Sequence, residues 1–406
     1  MNFYLDIEQE NKDNNLENIK NIELCTVDSS KNLLFKKYYK TVSVEKERID
    51  QLENNENWDK MKKIGNPFEL IYTNYNKRRK NDSISKYIPI SRSYFKMWEI
   101  FHNFSLLKHF DQTKQHTFAH LAEGPGGFME ATHNYRMKLI KKPKLMDKFF
   151  GITLKPTSDY IPDWNKIKKT FNNNPNIFID YGNLYFINDV RNYIEKFRIN
   201  KANLVTADGG FDYSSNFNGQ EVNSCQIVYS ECSIALNILK LNGSFVCKIF
   251  DLFSVSMMQI LYIVCNCFEY VYIYKPETSR PANSEKYLIC LYYKDNLTKE
   301  FKNNLINIID EWFKLSEKVQ DSENVIFKNV KVSNYFLKIL NDYNEKYIKN
   351  QMFYLNKTIE LSQNKIDKEK YYEIIQEQVK NAKIWCTKYG IEINKESIYY
   401  KKQGTD

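Results

Sequence analysis

The stretch "HTFAHLAEGPGGFMEATHNYRMKL", residues 116–139, changes character at its glycines. Up to Glu123 it reads as a short strand, and from Gly127 as a helix. Glycines at 124, 126 and 127 mark the tight turn between them. Strand, glycine-rich turn and helix form the opening of an α/β unit, and the same alternation continues downstream. "DKFFGITL" (147–154) and "NIFID" (176–180) read as strands, and "NDVRNYIEKFR" (188–198) as a helix. The strand "ANLVTADGG" (202–210), the long helix 221–240, the strand "GSFVCKIF" (243–250) and the helix 255–268 follow. "YVYIYKP" (270–276) and "EKYLICLYY" (285–293) come without a helix between them, so they should pair antiparallel as a hairpin-like edge. The prediction is a doubly wound, mostly parallel sheet with an antiparallel last strand.

Upstream, "SRSYFKMWEIFHNF" (91–104) places Tyr94, Met97, Trp98 and Phe101 on one helical face, with Ser91 or Ser93 as N-cap. Lys96 falls off that face and, on pattern alone, is a solvated lysine. Residues 1–60 are polar with a helical stretch near 44–63, and residues 296–406 are charged and helical in pattern, with no glycine until Gly390. The chain thus divides into an N-terminal extension (1–60), an α/β domain (61–295) and a helical C-terminal extension (296–406).

Composition excludes several classes. Of 406 residues 42% are hydrophobic, with 30 Tyr and 26 Phe, which is ample for a packed core and rules out a disordered chain. The Lys, Asn, Ile, Tyr and Phe bias is what translation of an AT-rich genome produces, and it suits a large DNA virus or a protist. A net charge of +9 is compatible with a polyanionic partner and equally with an ordinary basic protein. There is no secretory signal, no apolar run long enough to span a bilayer, and no Cys/His pattern at zinc spacing, so no metal is expected. Eight cysteines lie mostly in apolar runs and read as free thiols of an intracellular, cytoplasmic protein (in a virion or viral factory if the source is viral).

Ligands of open α/β sheets bind outside the carboxyl ends of the strands. The turn 122–128, Ala122-Glu123-Gly124-Pro125-Gly126-Gly127-Phe128, lies there, and its spacing is neither a dinucleotide fingerprint nor a P-loop. Asp208 ends the strand 202–207, where a plain turn residue is the simple alternative. Lys248 sits within a strand apolar on both faces, and a lysine is almost never buried without a partner. Glu285 opens the last strand.

These motifs together resemble the FtsJ/RrmJ-like 2'-O-methyltransferases, and in particular their cap-specific mRNA branch. "AEGPGGF", "GITL", "TADGGF", "GQE", "GSFVCKIFDLF" and "KPETSRPANSEKYLIC" carry the resemblance, with "NPFE" (66–69) and "SRSYFK" (91–96) upstream. It covers about residues 66–293. The resemblance implies a Rossmann-like methyltransferase fold and a catalytic tetrad of Lys96, Asp208, Lys248 and Glu285. It also implies S-adenosylmethionine, held by residues 122–128, Asp180, Asn183 and Asp208. "IDYGNL" departs from the family's usual acidic-glycine pattern, which leaves Asp180 and Asn183 the least secure contacts. Capped mRNA is the implied substrate, with Gln220, Glu221, Arg280 and Glu285 near the capped end. The basic run with Lys77, Arg78 and Arg79 reads as a phosphate-contacting segment or as a solvated loop. Contacts with capping or transcription machinery would fall to the extensions.

In the implied reaction the ribose 2'-hydroxyl attacks a methyl carbon in line with the leaving sulfur. Lys248 is then either the base or the group that orients the hydroxyl. Burial and Lys96 would lower its pKa, whereas Asp208 and Glu285 would raise it, so the sequence leaves the sign open. Methylation of ribosomal or transfer RNA, and a catalytically silent RNA-binding or scaffold subunit, remain as alternatives.

Overall fold

The computed structural model describes residues 2–5, 21–52, 56–73, 82–140, 147–158, 161–171, 174–210, 218–319, 323–364 and 366–401. Before the α/β unit come β1 (Asn2–Tyr4), β2 (Leu24–Asp28), α1 (Ser29–Asn32), α2 (Lys36–Leu52), α3 (Glu56–Ile64) and α4 (Ser93–Phe104). The unit itself runs β3 (Thr117–Leu121), α5 (Gly127–Leu139), β4 (Lys148–Thr153), α6 (Asn165–Thr170), β5 (Ile177–Tyr181) and α7 (Ile187–Glu195). It continues through β6 (Ala202–Ala207), α8 (Gln220–Ile238), β7 (Leu239–Ile249), α9 (Val255–Asn266), β8 (Phe268–Tyr274) and β9 (Lys286–Tyr293). After it come α10 (Lys299–Ser316), β10 (Glu323–Phe327), α11 (Asn334–Gln363), α12 (Lys368–Lys388) and α13 (Ile398–Lys401).

One sheet organises the molecule, in the order β1-β8-β9-β7-β6-β3-β4-β5. Strands β3 to β7 are mutually parallel, and β9 runs antiparallel to both β7 and β8. This is the doubly wound, Rossmann-like sheet that the alternating pattern predicts. The pattern missed two features. The sheet edge beside β8 is taken by β1, a strand of three residues beginning at Asn2. A second sheet pairs β2 with β10 across almost 300 residues.

Alternation along β7 explains how the layers form. Phe245, Cys247 and Ile249 enter the core shared with α8, α9 and α10, while Val246 enters the opposite core shared with α4, α5 and α12. Helix α4 carries no side-chain N-cap; Arg92 takes that position, and the hydroxyls of Ser91 and Ser93 bond to each other instead. Its burial is wider than the expected stripe, because Phe95, Glu99 and Ile100 are also buried between α5 and α12. All eight cysteines are free thiols, seven of them buried. Among the described residues no helix is long and apolar enough to cross a membrane.

Candidate active site

The carboxyl ends of β3, β6 and β7 meet the amino end of β9, because β9 runs the other way. That reversal lets Glu285, just ahead of β9, face residues at the ends of the parallel strands. From α4, Lys96 Nζ reaches Glu285 and lies 2.7 Å from Oε1 and 2.9 Å from Oε2. From β7, Lys248 Nζ donates to the Asp208 carbonyl at 2.8 Å and lies 3.3 Å from Asp208 Oδ1. The Tyr287 hydroxyl donates to the same Oδ1 at 3.2 Å, and Tyr287 is the register partner of Lys248 on β9. The four side chains expected from sequence therefore form two adjacent ion pairs.

Electrostatics ties the pairs together. Burial pushes the Glu285 carboxyl up, but Lys96, Lys248 and Lys275 outweigh it and hold the group at about 2. Burial pulls the Lys248 ammonium down, and Asp208, Glu285 and Glu231 outweigh it, so its pKa ends above the ordinary value. The balance left open by the sequence therefore tips toward the charged form of the lysine.

Two supporting residues escaped the sequence reading. Lys275 is buried at the end of β8 and donates to the Glu285 carbonyl at 2.6 Å and the Asn283 carbonyl at 2.9 Å, closing the base of the connection that carries Glu285. The buried-lysine argument that singled out Lys248 applies equally to Lys275, which lies just before Pro276. Glu231, on α8, is fully buried and accepts the Gly209 N–H at 2.9 Å. Burial pushes its carboxyl up to about 8. A methyl group on Gly209 would come within 2.3 Å of Glu231 Oε1, which explains the glycine after Asp208.

The turn 122–128 begins with Ala122 at φ 52° and has Gly126 at φ 107°. Glu123 is buried, accepting from the Thr206 hydroxyl and lying 3.2 Å from His120 Nδ1. Phe128 packs its ring against Tyr287 at 5.7 Å. Gly127 has no room for a side chain, since a Cβ would meet the hydroxyls of Ser91 and Ser93. Gly124 is likewise closed by the Pro162 carbonyl. Asp180, next to last in β5, has its carboxylate 2.7 Å from Lys196 Nζ, and the Asn183 side chain accepts from the Tyr185 N–H at 3.0 Å.

These residues suit a cofactor that is part cation and part adenosine. The N-terminus of α5 has no side-chain cap. Leu154 and Tyr181, just past β4 and at the end of β5, stay 46% and 40% exposed, an apolar lip for a base. Carboxylates at Asp180 and Asp208 lie on either side of the turn, the first paired with Lys196 and the second with Lys248.

Beside the tetrad lie two clefts that share Lys46. The first, about 250 Å³, is lined by Lys62, Asn66, Gln220, Arg280 and Ser284. Glu69 of "NPFE" anchors Arg280 at 3.0 Å and Arg92 at 3.0 Å, and the Ser284 hydroxyl donates to Gln220 Oε1 at 2.5 Å. The second, about 440 Å³, is lined by Tyr39, Asn218, Asp251 and Phe253 among others. Glu221 turns inward there, accepting from the Phe253 and Ser254 amides, and burial pushes its carboxyl up to about 7. Lys77, Arg78 and Arg79 lie outside the described residues.

A doubly wound sheet with a glycine-rich turn after its first parallel strand, and a lysine–carboxylate cluster at the same edge, defines an α/β group-transfer enzyme. The chain belongs to the FtsJ-like methyltransferase family, whose model matches residues 89–293, and S-adenosylmethionine is the cofactor of that family. A cap-specific mRNA (nucleoside-2'-O-)-methyltransferase 1 of Drosophila melanogaster is 31% identical over 65% of this chain and 34% of its own length. The Homo sapiens protein of the same name is 33% identical over 43% of this chain and 21% of its own length. A Drosophila cap-specific methyltransferase 2 is 30% identical over 56% of this chain and 34% of its own. The chain therefore spans about a third or less of the length of these relatives.

Proposed function

We propose that this protein methylates the ribose 2'-oxygen of the first transcribed nucleotide of capped mRNA. The observation that carries the reading is the convergence of the Lys96–Glu285 and Lys248–Asp208 pairs on the strand edge that bears the 122–128 turn, with a basic cleft alongside. The names of the relatives point to the same substrate. S-adenosylmethionine, when bound, supplies a methyl group on a positively charged sulfur. Residues 122–128, Asp180, Asn183 and Asp208 would hold it.

In this reading Lys248 works as a cation. An ammonium whose pKa is raised by Asp208 and Glu285 has no lone pair to accept a proton near neutral pH. It donates to the 2'-oxygen, aims a lone pair at the methyl carbon, and stabilises negative charge as the C–O bond forms. The hydroxyl proton leaves late, to solvent. Lys96 is locked to Glu285 and fixes that carboxylate, which in turn keeps Lys248 charged. Lys62 and Arg280 would take the phosphates of the capped end, with Gln220 and Ser284 supplying neutral contacts. Arg280 is pre-oriented by Glu69, so little side-chain freedom is lost on binding.

The test is transfer of labelled methyl from S-adenosylmethionine to two short RNAs of one sequence, capped and uncapped, with Lys248→Ala alongside. Label on the 2'-oxygen of the capped RNA alone, reduced by at least roughly 100-fold in the folded variant, is the expected result. Equal labelling of both RNAs would reassign the substrate. Near-full turnover by Lys248→Ala would remove Lys248 from the chemistry.

A further inference from the structure

Helix α12 lies beyond the family-matched segment, yet one carboxylate connects it to the tetrad. Glu99 follows Lys96 by one turn on α4 and is fully buried. Its Oε1 accepts from the Tyr274 hydroxyl at 2.5 Å and the Glu277 N–H at 2.7 Å. Its Oε2 accepts from the Trp385 indole N–H at 3.0 Å, the Thr278 hydroxyl at 3.2 Å and the Thr278 N–H at 3.3 Å. An ionised carboxylate offers about four acceptor sites, so five donors saturate it. A buried carboxylate is strongly unfavourable unless it is satisfied in this way.

Three chain segments meet at that group. One is α4, which carries Lys96. The second is the 275–285 connection, which carries Glu285 and is pinned at Glu277 and Thr278. The third is α12, which supplies Trp385. Phe95 meets the Trp385 ring edge-on at 5.6 Å, and the Trp98 indole donates to the Tyr389 carbonyl at 2.9 Å, so the last turn of α12 and the residue after it hold α4.

The geometry points to Glu99 and Trp385 as positioning residues that set the Lys96–Glu285 pair, making α12 a working part of the catalytic centre. The inference rests on the catalytic reading of the tetrad given above. Glu99 fixes the 275–285 connection to α4, and the indole N–H keeps the Glu99 carboxylate turned toward Thr278. Losing that donor leaves Oε2 held only by the longer Thr278 bonds, at 3.2 and 3.3 Å, and loosens the connection relative to Lys96. A packing role alone would need only the bulk of the ring, which a phenylalanine largely retains.

The experiment uses the full chain with Trp385→Phe, Glu99→Gln and the double variant. Glutamine keeps the shape of Glu99 but turns an NH2 toward groups that also donate. Two readouts separate the questions. The Lys96 ammonium signal in protein with 15N-labelled lysine side chains reports the ion pair with no RNA present. Steady-state methyl transfer then gives kcat and KM for both substrates.

Expected are a broadened Lys96 signal and a kcat lowered roughly tenfold or more, with KM changed less than about twofold. The double variant should be no worse than the worse single one, since both act through one link. A sharp Lys96 signal and wild-type kcat in folded Trp385→Phe would overturn the inference, as would equal loss in kcat and both KM values with the signal intact. Should Glu99→Gln fail to fold, Trp385→Phe decides alone. Should wild-type protein methylate no capped RNA, the proposed function falls while the Lys96 signal still decides the role of α12.

Discussion

Lys248 and Glu231 are both raised above their ordinary values, so the stability of the fold falls as pH rises through each window, above the ordinary lysine range for Lys248 and across neutrality for Glu231. Glu231 is raised from an ordinary 4.5 to about 8. Between those values the folded state keeps a proton that the unfolded state has released, so stability falls as pH rises through the window, by up to about 1.4 kcal/mol per pH unit. Glu231→Gln mimics the protonated acid and should remove its part of the slope. Melting temperature from pH 5 to 9 should therefore decline less steeply in the variant, and parallel curves would show that Glu231 does not titrate there. Gly209→Ala should destabilise by roughly 1–3 kcal/mol, because the added methyl meets the Glu231 carboxyl at 2.3 Å; a chemical denaturation curve checks this. In the basic cleft, Lys62→Ala and Arg280→Ala should raise KM for capped RNA about tenfold and leave kcat nearly unchanged. An unchanged KM would place the phosphates elsewhere.

Among the elements, those with strong local signals were legible in the sequence. The parallel strands and their helices follow from apolar runs broken at glycines, and the Lys248 strand shows the expected two-faced burial. Strands β1, β2 and β10 were not legible. Each is only three to five residues long, and each is a strand only because a distant segment supplies its hydrogen-bonding partner. Lys96 illustrates the same limit. Helical periodicity places it off the apolar stripe, yet α4 is covered from two sides, and the lysine points to a carboxylate almost 190 residues away. Glu99 left no trace in the pattern, since a buried glutamate satisfied by five donors looks like any surface glutamate. Lys96, Asp208, Lys248 and Glu285 were named from the family resemblance, whereas Lys275, Glu231 and Glu99 around them needed three-dimensional information. Lys275→Met should free the Asn283–Glu285 turn and lower kcat about tenfold, and a fall confined to KM would argue against that role.

At the scale of the whole molecule, the two ends of the chain are built into one body. The N-terminal strand β1 closes the main sheet, β2 pairs with β10, and α12 enters the core that holds α4 and α5. Charge is distributed with similar economy: the basic side chains of the cleft come from α2, α3 and the β8–β9 connection, so three separate segments must be in place before the cleft exists.

The reversed direction of β9 has a practical side. Because that strand starts at the working edge and ends at the opposite one, the chain leaves the chemistry behind at Tyr293. The stretch 294–298, at the far rim, joins β9 to α10, tied down by the Lys294 N–H on the Cys267 carbonyl at 2.9 Å and by the Asp295–Lys302 ion pair. A short flexible insert placed there, between Asp295 and Asn296, should be carried without harm, with methyl transfer within about twofold of the parent. The same insert between Pro276 and Ser284 should abolish it. The molecule thus offers a natural place for a fluorophore, an affinity handle or a split-protein joint, on the rim opposite Lys248 and Glu285.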